Sequence, residues 1–150
     1  MNAPARFPPV DPGFASRVRE SFGRQKAMVL IGATLAAVAP GRVEIALPYR
    51  DELTQQKGYI HGGILGMIAD SACGYAAFSL MPADCSLVTV EYKINILAPA
   101  RSAVRAIGEV VKPGRTLTIA RGEVFAEDGV HVASMQQTLM MLARRPDTRE

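Results

Sequence analysis

The stretch from Gly58 to Met81, GYIHGGILGMIADSACGYAAFSLM, constrains the fold more than any other part of the chain. From Ile64 to Leu80 nearly every residue is apolar or small, so the stretch reads as a long helix entered through His61-Gly62-Gly63. A helix apolar on all sides has to be enclosed by the rest of the chain. Asp70 is the single formal charge between His61 and Asp84. Placed mid-helix among Met67, Ile68, Ala69, Ala72 and Cys73, a carboxylate needs either a structural partner or a chemical use.

The flanking segments supply the enclosure. Asp11-Pro12 puts an acid at a cap position and a proline in the first turn, and Phe14, Val18 and Phe22 recur every four residues, which predicts a short amphipathic helix ending near Gly23. Met28 to Val38 is rich in strand formers, Ala39-Pro40-Gly41 breaks it, and Val43, Ile45 and Leu47 alternate with Arg42, Glu44 and Ala46, so a hairpin is expected. Pro48 to Lys57 is polar and loop-like. After Pro82 the apolar period becomes two: Val88, Val90, Tyr92, Ile94 and Ile96 are expected on one strand face, and Thr89, Glu91, Lys93 and Asn95 on the other. Further strands run from about Ser102 to Val111, from Thr116 to Ala126 and from Val130 to about Ala143. Lys112-Pro113-Gly114-Arg115, with proline and glycine in the central places of a type II turn, joins the first two, and Glu127-Asp128-Gly129 makes the last hairpin. Strands segregated from helices indicate an α+β protein whose antiparallel sheet curls around one helix. One domain over residues 1–150 is expected, with 1–10 and 144–150 flexible.

A chain of 150 residues with 49% hydrophobic content can build such a core. The net charge of +3 is carried mostly by arginine, scattered singly, which suits a small phosphate-bearing ligand better than nucleic acid. Cys73 and Cys85 form no disulfide framework and show no metal-ligand spacing, so a reducing, cytoplasmic setting is expected. Arg24-Gln25-Lys26 followed by AMVLIGATLAAVA imitates a secretory signal, but it begins too late and runs on into an alternating strand. No membrane span is expected, because the one long apolar run carries Asp70 near its middle. The absence of a carboxylate-histidine cluster, a GxGxxG and a P-loop gives no support to a metal, flavin or nicotinamide cofactor.

The string His61-Gly62-Gly63-Ile-Leu-Gly-Met-Ile-Ala-Asp70 resembles the signature of hotdog-fold thioesterases of the 4-hydroxybenzoyl-CoA thioesterase superfamily, in particular the phenylacetic-acid-degradation (PaaI-like) branch. There HGG opens the central helix and an Asp lies nine residues after the His. The likeness extends from about Met28 to Leu142 and includes the segment YKINILAPA. It implies a hotdog fold and an acyl-CoA thioesterase in which coenzyme A is part of the substrate and no cofactor is required. It also implies that Asp70 acts as base or nucleophile. The Gly62 N–H, at the positive end of the helix, would be the oxyanion donor. His61 would orient the entry loop, and Thr89 would hold the attacking water. Gln55 stands six residues before His61, where many relatives carry an Asn that places the nucleophile or water. Gly63, Ile64, Met67, Tyr75 and Met81 would line the acyl group. Lys112, Gly114 and Arg115 resemble the family's turn near the coenzyme A nucleotide, with Arg101 and Arg105 assisting.

Helix geometry adds two conclusions. Cys73 lies twelve residues from His61, about 18 Å at the helical rise, so the two form no Cys-His pair within one chain. Gly62 and Asp70 are about 12 Å apart, whereas one carbonyl must lie roughly 3 Å from its oxyanion donor and within reach of the base. If both are catalytic, a second copy must lay its helix antiparallel beside the first, giving a two-fold dimer with shared sites. The family resemblance implies a dimer of dimers. Two other classes compete: a hydratase or dehydratase, which would use a histidine paired with an acid and has only His61 and His131 to draw on, and a non-catalytic acyl-CoA-binding protein.

Overall fold

In the computed structural model, which describes residues 6–143, six strands form one antiparallel sheet and one long helix lies across it. The elements are α1 (Phe14–Gly23), α2 (Lys26–Ile31), β1 (Thr34–Ala39), β2 (Arg42–Leu47), α3 (Gly62–Phe78), β3 (Cys85–Ile96), β4 (Val104–Lys112), β5 (Leu117–Ala126) and β6 (His131–Ala143). The strand order is β1-β2-β4-β5-β6-β3, the curved sheet of the hotdog architecture that the sequence implies. The last strand of the order, β3, has one edge unpaired.

Two glycines let α3 settle onto this sheet. Gly108 of β4 and Gly122 of β5 face each other directly in the register. A Cβ on Gly108 would stand 2.2 Å from the Ala72 carbonyl carbon, and one on Gly122 would stand 2.9 Å from Cys73 Sγ. The pair makes a notch across two strands into which the Ala72–Cys73 turn sinks, and Leu65, Ile68, Ala69, Ala72, Cys73 and Ala76 are fully enclosed there. Burial raises the Cys73 thiol out of the range in which a thiolate forms, so Cys73 is the small core residue its surroundings suggest. The helix C-terminus is closed by Arg17 of α1, whose guanidinium donates to the Phe78, Met81 and Pro82 carbonyls at 3.3, 2.7 and 3.1 Å.

Several expectations need correction. The expected strand from Met28 begins instead as α2, because Gly32, at φ 75°, caps a helix by accepting the left-handed conformation and sends its N–H back to that helix. Only Thr34–Ala39 is strand. The first helix starts at Phe14, since Asp11 uses its carboxylate on the Gly13 N–H, 2.8 Å, and on Arg17. Of the termini expected to be flexible, residues 1–5 and 144–150 lie outside the described residues, while Phe7 packs on the core. Gly114 does not have the positive φ of a type II turn; a side chain there is excluded because its Cβ would meet the Leu117 carbonyl oxygen at 2.0 Å.

Two further corrections bear on the site. Instead of being enclosed on all sides, α3 leaves a half-exposed stripe of Met67, Asp70, Ser71, Gly74 and Phe78, spaced three to four residues apart. And β3 does not alternate throughout: its register against β6 skips a residue between Thr89 and Glu91. The bulge at Val90 reverses the parity, so Thr89 faces α3 together with Tyr92 and Ile94, and Val88 turns to the outer face.

Candidate active site

Asp70 reaches from the half-exposed stripe of α3 toward β3 and β6. Thr89, turned inward by the bulge, donates its hydroxyl to Asp70 Oδ1 at 2.8 Å. Gln137 of β6 donates its amide to the same Oδ1 and to Thr89 Oγ1, the latter at 2.9 Å. Gln137 is 1% exposed, and its Oε1 is buried without a partner among the described residues. Asp70 Oδ2 accepts no hydrogen bond from them either. A carboxylate is therefore presented with one oxygen doubly held and the other open.

Asp70 borders a cavity of about 280 Å³ together with Ser21, Gln25, Ser71, Tyr75, Phe78 and Thr89. Tyr75 is fixed edge-on to Phe22 and Phe78, with its hydroxyl 3.2 Å from Ser21 Oγ. Burial pushes the Tyr75 phenol up, against the smaller effects of Ser21 and Arg24, so it is neutral at physiological pH. Of the residues expected to line an acyl group, Tyr75 borders this cavity. Met67 and Ile64 are half-buried outside it, and Met81 belongs to the core.

At the other end of α3, His61 is the cap. Its Nδ1 accepts the Gly63 N–H at 2.9 Å, and its carbonyl accepts those of Ile64 and Leu65 at 2.9 and 3.2 Å. Nδ1 as acceptor places the ring proton on Nε2. The Gly62 N–H alone in this first turn meets no acceptor among the described residues, and a Cβ on Gly62 would stand 3.7 Å from the Ile96 side chain. A lone amide at a helix start is suited to an anion or a polarised carbonyl.

The remaining expected residues are dispersed. Gln55 accepts the Lys57 N–H with its side-chain oxygen, which engages it in its own turn. The Arg101 guanidinium lies over the Tyr59 ring, 4.4 Å from its centroid, and donates to the Lys57 carbonyl at 3.0 Å, close to the helix entry. Arg105 pairs with Glu44 at 2.8 Å on the outer face of the sheet. Lys112, Gly114 and Arg115 are exposed at the far end of β4. Arg105 and Lys112 are seven strand positions apart, about 23 Å, so these cations do not form one phosphate site in one chain. His131 does pair with an acid, Glu123 at 2.6 Å, but on the outer face, away from α3.

Sequence reasoning brought Asp70 and Thr89 forward and missed Gln137. The signal was available: on β6 the inward positions read Ala133, Met135, Gln137, Leu139, and an amide in an otherwise apolar row has to find a polar partner inside.

Residues 57–133 match the family described as the thioesterase superfamily. Among solved structures, a thioesterase family protein from Silicibacter pomeroyi is 49% identical, with a TM-score of 0.85 over 87% of this chain and 99% of that one. The PaaI protein of E. coli, from the phenylacetic acid degradation operon, superposes with a TM-score of 0.81 over 87% of this chain and 94% of that one; at 16% identity this is a likeness of fold. A Saccharolobus solfataricus protein provisionally named an esterase is 36% identical over 59% of this chain. The chain spans less than two thirds of the first curated relatives it matches, 63% and 64%.

Proposed function

The chain belongs to the thioesterase superfamily, and from that premise we propose that it hydrolyses an acyl-CoA thioester to the free acid and coenzyme A, as a cytoplasmic enzyme of the PaaI-like branch. The observation that carries this reading is the Asp70 carboxylate, held through Oδ1 by Thr89 and Gln137, its Oδ2 without a partner among the described residues, at the border of a cavity of about 280 Å³. The HGG-to-Asp spacing supports the branch, and two free cysteines support the compartment.

In the proposed reaction the thioester carbonyl accepts the unpartnered Gly62 N–H, which stabilises the oxyanion as it develops. Asp70 Oδ2 either takes a proton from the attacking water or attacks the carbonyl carbon itself. When water attacks, the C–S bond breaks and the sulfur leaves with that proton as coenzyme A thiol. When Asp70 attacks, the sulfur leaves as thiolate and an acyl-aspartyl anhydride forms, which water hydrolyses to the free acid, giving one proton to the thiolate and restoring Asp70. Because Gly62 and Asp70 are about 12 Å apart in one helix, the donor and the base come from two copies. The free edge of β3, with Val90 and Tyr92 exposed, and the adjacent half-exposed stripe of α3 support a two-fold dimer through this side, and a dimer of dimers beyond it. The nucleotide then lies against Lys112, Gly114 and Arg115, whose two cations are exposed and carry no ion pair among the described residues.

A thiol-release assay over a panel of acyl-CoAs tests the reading. Release by the parent chain, lost in Asp70→Asn, is the expected result. Tight acyl-CoA binding with no thiol released would instead make the protein a binder.

A further inference from the structure

Gln137 is an expensive residue for this position. It is enclosed between Met135 and Leu139 on the inner face of β6, its amide nitrogen is engaged twice, and its carbonyl oxygen is buried with no hydrogen-bond partner among the described residues. Leaving a buried acceptor unmet costs about 1–3 kcal/mol, a cost that an apolar side chain of the same length would avoid. For stability alone, methionine would serve as well or better at this place.

What the amide achieves is a choice between the two oxygens of Asp70. Both donors, Gln137 Nε2 and Thr89 Oγ1, converge on Oδ1, and the amide also holds the threonine hydroxyl, so that its one proton is directed at the carboxylate. Without the amide, the carboxylate is free to turn about its Cβ–Cγ bond, and Thr89 can donate to either oxygen or to water. We propose that Gln137 is a positioning residue that fixes the Asp70 carboxylate in a single orientation, with Oδ1 held and Oδ2 directed at the thioester. It touches no reacting atom. The inference rests on the hydrolytic reading for its kinetic consequence, though not for its geometry.

Gln137→Met removes both donated hydrogen bonds and the orphaned oxygen together. The expected variant melts at or above the temperature of the parent and keeps its KM within about twofold, while kcat falls roughly tenfold to a hundredfold, the scale on which a misplaced reacting group loses rate. The ¹³C carboxyl resonance of Asp70, identified by its disappearance in Asp70→Asn, is displaced in Gln137→Met. A residue serving only to tie β6 to α3 would lower the melting temperature and leave kcat in the folded fraction unchanged. An unchanged kcat with an unmoved Asp70 resonance overturns the proposal. Should Gln137→Met fail to fold, Gln137→Asn, which keeps the amide but withdraws it by one methylene, is read the same two ways. If the parent releases no thiol, the hydrolytic reading fails by itself and the resonance still decides whether Gln137 orients the carboxylate.

Discussion

The two faces of the sheet carry two polar networks of opposite design. On the outer face Arg42 binds Glu44 and, at 3.1 Å, Glu109; Arg105 binds Glu44 at 2.8 Å; Arg121 lies 3.3 Å from Glu109 and 3.7 Å from Glu123; and His131 meets Glu123 at 2.6 Å. Each of these carboxylates is opposed by one or more cations. On the inner face the hydrogen-bond partners of Asp70 among the described residues include no cation, only a hydroxyl and an amide, and both converge on one of its oxygens. The outer network is closed by these ion pairs. The inner one leaves Asp70 Oδ2 without a partner among the described residues at the border of the cavity, and Gln137 carries an unmet acceptor within it. A charge that the fold has not neutralised, beside space for a substrate, is where chemistry is to be sought.

The comparison breaks most easily at Asp70. Asp70→Asn keeps size and shape but removes the base or anion, so turnover should fall by about 10²–10⁴-fold while the melting curve and acyl-CoA binding hold; near-normal turnover would remove Asp70 from the chemistry. Thr89→Val removes the second donor to the same oxygen. Combined with Gln137→Met, its effect on kcat should depart from the product of the single effects, because each single variant leaves one donor and the double leaves none. Simple multiplication would mean that the two side chains act independently. Arg115→Ala should raise KM for acyl-CoA roughly tenfold, one charge-assisted hydrogen bond, and change kcat little, since the nucleotide is remote from the reacting carbon. Equal KM values in the parent for acyl-CoA and a truncated acyl-pantetheine would place no nucleotide contact there.

The smallest effect belongs to the outer network. Burial acts to raise the Glu44 carboxyl, but hydrogen bonds and charge from Arg42 and Arg105 outweigh it and hold Glu44 below its ordinary value of 4.5. A depressed carboxylate contributes stability above its unfolded value and loses it as pH falls through the folded one. Glu44→Gln should therefore destabilise by less than about 1 kcal/mol near neutral pH, because both arginines are well exposed, and the gap to the parent should narrow below pH 4.5 with kcat untouched throughout. A loss of kcat would show that the two faces are coupled.

The helix, the sheet and Asp70 were legible because each leaves a periodic or compositional trace in the sequence. The strand boundaries of β2, β5 and β6 fall within a few residues of those expected from alternation. The rest depends on partners far apart in the chain. The bulge at Val90 exists because β3 pairs with β6, and no local residue announces it, yet it alone turns Thr89 inward. The Gly108–Gly122 notch is two unremarkable glycines until the β4–β5 register sets them opposite each other. Helix α2 was hidden in a run of strand formers, although Gly32 was a readable stop. The enclosure expected all around α3 is completed on one side only within the chain, and in the proposed dimer that open stripe would be the trace of the second copy.

The most direct measurement follows from that trace. A chain carrying Asp70→Asn lacks the proposed base or nucleophile, and a chain carrying Gly62→Pro lacks the proposed oxyanion N–H; each should be inactive alone. Mixed and allowed to exchange subunits, they should form heterodimers with one intact site each, made of Gly62 from the first chain and Asp70 from the second, and thiol release should reappear. Verified heterodimers that remain inactive, formed from parents that fold and dimerise normally, would contradict a site shared between two copies.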